Sequence, residues 1–196
     1  MTIRNLGRPQ DALTCLRTTI DRFEDVDGIL ALPWIAWGVR VYARILTELG
    51  RTREAIAAHD ELIALLEPGS TVELREWIAD ALLRKGDMLR EGRDRRAAAA
   101  AYRDAFDRFS LDREGELPRL ASAGGLEAAR LLHTFLRFDA SFDLAQALVE
   151  RFGDSRDTEV QERVEVAQMI VTALAYRKRM LRLVSRAGRA LWPSAR

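Results

Sequence analysis

Apolar side chains along this chain recur three and four positions apart, as in Leu13, Leu16, Ile20 and Phe23 or Ile35, Val39, Ile45 and Leu46. That is the period of a helix with one buried face. The pattern predicts helices near 9–24, 33–48, 52–66, 71–90, 94–109, 117–136, 140–152, 157–178 and 179–191. Breaks fall at Asp25–Leu32, Pro68-Gly69-Ser70, Leu111–Leu117 before Pro118, and Gly153-Asp154-Ser155, and none is long enough for a domain linker. Ser70 and Ser155 are placed to cap the helices that follow. No segment alternates as a strand does, so the expected class is all-α.

The same apolar pattern repeats at a fixed offset of 43 residues. The step links Ile20, Ile63, Phe106 and Val149, then Ile35, Ile78, Ala121 and Val164, then Ile45, Met88, Leu131 and Leu174. It also links Leu46, Leu89, Leu132 and Ala175, and pairs Trp34 with Trp77. Two columns stay small: Ala43, Gly86, Ala129, Thr172, and twelve residues later Ala55, Ala98, Ser141. Paired small positions mark one close contact between two antiparallel helices, so each unit is a helical hairpin. The turns read Leu6-Gly7-Arg8-Pro9, Leu49-Gly50-Arg51-Thr52 and Glu91-Gly92-Arg93-Asp94, with Gly expected where a helix end needs left-handed backbone.

A small residue in the first helix, a Gly turn, Ala at 12 and 55, and a bulky residue four later (Leu16, His59, Tyr102) resemble tetratricopeptide repeats. The likeness spans nearly the whole chain, but it is a scaffold motif. The 43-residue unit is longer than the family's 34, Val39 and Leu82 replace its usual aromatic, and its closing Pro is approximated only by Pro68. The period also falls in the HEAT and armadillo range. The resemblance implies an α-α superhelix of antiparallel hairpins over residues 1–176, with first helices lining a concave face. There it places Arg40, Arg44, Asp87, Arg90, Arg130 and His133. Guanidiniums so gathered would clamp a carboxylate-bearing peptide, as in some tetratricopeptide domains.

Charge changes the picture at the C-terminus. Residues 177–196 hold seven basic side chains, among them Arg177, Lys178, Arg179, Arg182, Arg186 and Arg189, and no acid, while the other 176 residues carry 24 − 30 = −6. This basic amphipathic helix is expected to cap the last repeat, or else to meet an acidic protein, nucleic acid or lipid. The N-terminus reads as the second helix of a repeat, so helix 9–24 lacks a partner. That predicts either a longer protein or self-association through a terminal helix, a possible homodimer.

Candidate chemistry is sparse. One cysteine and two histidines leave little for disulfides or metals, a reducing cytoplasm is the default, and no apolar run approaches the roughly 18 residues of a membrane span. No phosphate-binding Gly loop, HExxH, GxSxG or CxxC occurs, so the expectation is no enzyme and no cofactor. Cys15 and His59 read as packing residues, His133 as a core or helix-end residue, and Trp34, Trp37 and Trp77 as packing. Gly124-Gly125 is odd, since each glycine costs about 1 kcal/mol in a helix interior. A helix start delayed to this point, with Ser122 as cap, is the simplest expectation, and a kink or a close helix approach is the alternative. The expected function is a protein- or peptide-binding scaffold with an acidic partner. A regulatory fragment of a larger signalling protein, or nucleic-acid binding through the tail, are the alternatives.

Overall fold

The structure, a computed structural model, describes residues 10, 11, 13–15, 17, 18, 32–67 and 71–191, with side chains up to Val184. Residues 10, 11, 13–15, 17 and 18 are helical, and seven helices follow. They are α1 (Leu32–Glu48), α2 (Thr52–Leu66), α3 (Val72–Glu91), α4 (Arg95–Phe109), α5 (Leu117–Thr134), α6 (Phe138–Phe152) and α7 (Thr158–Leu191). No strand occurs among the described residues, so the chain is all-α. Each helix packs on its neighbours in the chain, and α1 also packs on α3, α3 on α5 and α5 on α7. Among the described residues, no comparable interface joins α2 to α4 or α4 to α6.

The 43-residue step holds in the backbone as well as in the core. Gly50, Arg93 and Leu136 all have positive φ, at 74°, 65° and 59°. In each turn the amide of the next residue reaches back to the helix: Arg51 N–H donates to Leu46 O at 2.8 Å, Asp94 to Leu89 at 2.9 Å, and Arg137 to Leu132 at 3.0 Å. These are helix ends closed by one left-handed residue. The expectation that Gly92 takes that role is therefore corrected: Gly92 has φ −70° and Arg93, 43 residues after Gly50, is the left-handed one. The repeat keeps the turn even where it has lost the glycine, at a cost of roughly 1–2 kcal/mol for each substituted position.

The paired small columns meet as expected. Ala43, Ala55, Ala98 and Ala129 are fully buried, and Ser141 Oγ donates to the Ala129 carbonyl at 2.8 Å, joining α5 and α6 at the contact point. Ile35, Ile78, Ala121 and Val164 are all buried, as are Ile45, Met88, Leu131 and Leu174. Where the first helix has Gly86, the second carries Tyr102 against it. A Cβ on Gly86 would sit 2.6 Å from the Tyr102 ring.

Gly124 and Gly125 lie inside α5, which begins at Leu117, so the delayed start with Ser122 as cap is overturned. Close approach is the reason for the glycines. A Cβ on Gly124 would lie 2.5 Å from the Tyr102 carbonyl oxygen, and one on Gly125 would lie 2.5 Å from Phe106 Cδ2. The backbones of α4 and α5 thus touch through a gap that no side chain can occupy.

Three further expectations shift. Thr71 caps α3, its hydroxyl accepting from Leu74 N–H at 3.3 Å, while Ser70 lies outside the described residues. Asp157 caps α7, accepting from Glu159 N–H at 2.9 Å and Val160 N–H at 3.1 Å, with Ser155 Oγ accepting from Asp157 N–H at 3.3 Å. The boundary expected between 178 and 179 is absent, because α7 runs unbroken through it. The fourth left-handed turn would fall at Arg179, 43 residues after Leu136, and there the chain stays helical. No Pro or Gly stands at 177–181 to break it. The positions by which α1, α3 and α5 meet their second helices are Glu165, Gln168 and Thr172 in α7, and all three are exposed.

Candidate functional site

Helix α1 buries Ile35, Ala36, Val39, Ala43, Ile45 and Leu46, which leaves Trp37, Arg40 and Arg44 one turn apart on its open side. Helix α3 buries Ile78, Leu82 and Met88 and presents Arg84, Asp87 and Glu91 toward them. Between the two helices lies a cavity of about 380 Å³ lined by these side chains, with His59 of α2 in its wall.

The charges of the cavity are unevenly matched. Asp80 accepts from Arg84 Nε at 2.7 Å and lies 3.7 Å from Arg40, whose guanidinium sits 5.7 Å from the Trp77 ring centre. Asp87 accepts from the Tyr102 hydroxyl at 2.6 Å and from Arg90 at 3.0 Å. Burial and the hydrogen bond to Asp87 hold the Tyr102 hydroxyl in its neutral form, with its pKa raised. Arg44 is exposed and makes no ion pair among the described residues. Its planar donor set is open to a carboxylate from outside.

His59 is buried, and neither ring nitrogen has a hydrogen-bond partner. Burial is the main cause that lowers its pKa to about 4, with Arg84 and Arg40 lowering and Asp80 and Asp60 partly raising it. The imidazole is therefore neutral near pH 7. The packing role expected of His59 is what the structure has, since it takes the place of Leu16 and Tyr102 in the repeat.

The six expected groove residues do not form one cluster. Arg40, Arg44 and Asp87 line the cavity. Arg90 and Arg130 share Glu127, at 2.9 Å and 3.2 Å, and neither lines the cavity. His133 is exposed, its ring edge-on to Phe138 at 5.1 Å, which corrects the core expectation for it. Sequence reasoning missed Arg84, which shares no column of the repeat with Arg40 or Arg44. It also missed the exposure of Trp34 and Trp37, at 70% and 55%, which overturns the packing role expected of both. Trp77 is half-buried, and Cys15 is exposed rather than buried.

In the basic C-terminal stretch, the Arg177 guanidinium lies 3.5 Å from the Phe138 ring centre and Lys178 lies 3.7 Å from Asp139. Arg179 and Arg182 are exposed, while the side chains of Arg186 and Arg189 lie outside the described residues. Among the described residues no group of His, Cys, Asp and Glu is arranged to hold a metal ion, and no helix is long and apolar enough to cross a membrane. No family model, no curated protein and no solved structure matches this chain.

Proposed function

We propose that the chain is a non-enzymatic interaction module, a tetratricopeptide-like α-α superhelix that binds an acidic peptide segment of a partner protein in the cavity between α1 and α3. The observation that supports this reading most directly is Arg44: a guanidinium at a cavity edge with no ion pair among the described residues, two turns along α1 from the exposed ring of Trp37, while the other expected groove arginines are bound to acids. A carboxylate of the peptide would take the bidentate donors of Arg44, and an apolar neighbour would lie on Trp37. Arg40 and Arg84, already sharing Asp80, raise the local positive potential without being freed.

The test is a titration of the chain with an acidic peptide containing successive Glu residues and a Leu, followed by tryptophan fluorescence. Arg44→Ala should weaken binding about tenfold, the worth of one charge-assisted contact. Arg130→Ala should leave affinity unchanged, because Arg130 does not line the cavity. Equal affinity of the Arg44→Ala variant and the parent would remove the reading.

A further inference from the structure

Helix α7 is 34 residues long, about 51 Å at 1.5 Å per residue, and packs against α5 and α6 along one side only. Val160, Val164, Ala167 and Leu174 are buried on that side. The opposite side is open over its whole described length, with Glu162, Glu165, Met169, Thr172, Ala173, Tyr176, Arg179, Met180 and Leu183 all exposed. Within it Met169, Ala173, Tyr176, Met180 and Leu183 follow one another at steps of four, three, four and three, the spacing of a helix–helix seam.

The charges along that side are sorted by position. Acids stand at the N-terminal end, Glu162 and Glu165, and Arg179 at the C-terminal end. Neither Glu162, Glu165 nor Arg179 has an ion-pair partner among the described residues. A parallel copy would set like against like. An antiparallel copy sets acid against base at both ends, which is the self-complementarity a two-fold interface requires.

We propose that α7 pairs with α7 of a second copy of this chain, antiparallel, with the two-fold axis between Ala173 and Tyr176. In that register Met169 meets Met180 of the partner copy at each side of the axis, and Ala173 leaves room for the opposing Tyr176 ring. Glu165 falls opposite the Arg179–Val184 segment. Thr172 and Ala175, small and exposed, allow the two backbones to come close. The inference concerns a different face from the α1–α3 cavity and stands or falls apart from it.

Sedimentation equilibrium on the full chain tests the pairing, and cysteine cross-linking in a Cys15→Ser background tests its direction. The parent should show a monomer–dimer equilibrium that weakens as salt screens the end charges. Glu165→Arg should raise the dissociation constant about tenfold or more while circular dichroism keeps its helical signal. Met169→Cys mixed with Met180→Cys should give a disulfide-linked dimer, and neither variant alone should, because antiparallel packing separates equal positions by about 16 Å along the axis. A chain that is monomeric at all concentrations overturns the proposal. So does self-cross-linking of Met169→Cys, which would mean a parallel pair, and so does a monomer that binds anionic phospholipid vesicles through this helix.

Discussion

Helices α5 and α7 occupy equivalent places in the repeat, yet their shared positions meet opposite environments. Gly125 is buried under Phe106 while Gln168, 43 residues on, is exposed. Ala129 is sealed against Ser141, while Thr172 is open. In α5 the following helix turns back and covers the face. In α7 the helix runs on past Arg179 and covers nothing. A position in the repeat therefore says which side of its helix it is on, and the next element decides whether that side is core or surface.

The strongest way to break the comparison is to install at 125 the residue the register holds one unit earlier, Leu82. Gly125→Leu has no room beside Phe106 and Leu148 and should lower unfolding stability by about 3 kcal/mol, read as a drop in the urea midpoint. Gln168→Leu at the equivalent open position should move stability by no more than about 0.5 kcal/mol. If both variants behave alike, the two helices do not differ as described.

Acidification sharpens the contrast between covered and open positions through His59. Its folded pKa, near 4, lies below the unfolded value near 6.5, so the unfolded chain binds the proton more readily. Stability is complete above pH 6.5, falls as pH drops through the window, and the loss is complete below about pH 4, about 3 kcal/mol in all. His59→Leu should remove that slope and hold stability level from pH 7 to pH 4 apart from what the carboxylates contribute. A slope unchanged in the variant would show that another group carries it.

The smallest effect belongs to single hydroxyls. Ser141→Ala loses the bond to the Ala129 carbonyl in the sealed contact of α5 and α6 and should cost about 1 kcal/mol by thermal or urea melting. Thr172→Ala, at the corresponding open place in α7, should leave the melting curve of the monomer where it is.

Much of this was readable in the chain itself. The 43-residue step located two buried columns, those of Ile35 and Ile45, and the hairpin contact at paired small residues, while in the Leu46 column Leu89 and Leu132 are half-buried and Ala175 is exposed; the three-to-four-residue period placed the helices within one or two residues at most ends. It failed where coverage or a neighbour's bulk decides. Gly124-Gly125 looked like a helix start because a single chain cannot show that Tyr102 and Phe106 fill the space beside it. Trp34 and Trp37 looked like packing residues because apolar character marks a side chain that gains from burial, not one that finds it. The candidate groove was half legible. Arg44 stood in the expected register, and Arg130 meets Glu127 three positions away on the same helix, but the reach of Arg90 to Glu127 depends on how α3 and α5 are placed.

Local periodicity determined the helical class and which side of each helix is apolar, since those depend on residues three to four positions apart, while the length of the unit came from matches 43 positions apart. Tertiary structure decided where glycine is compulsory, that Arg90 reaches Glu127 from α3 to α5, and that α7 carries an open face. The contacts of Gly86 and Gly124 with Tyr102, of Gly125 with Phe106, and the Arg90–Glu127 pair join residues 16 to 37 positions apart, and no pattern within one helix records them.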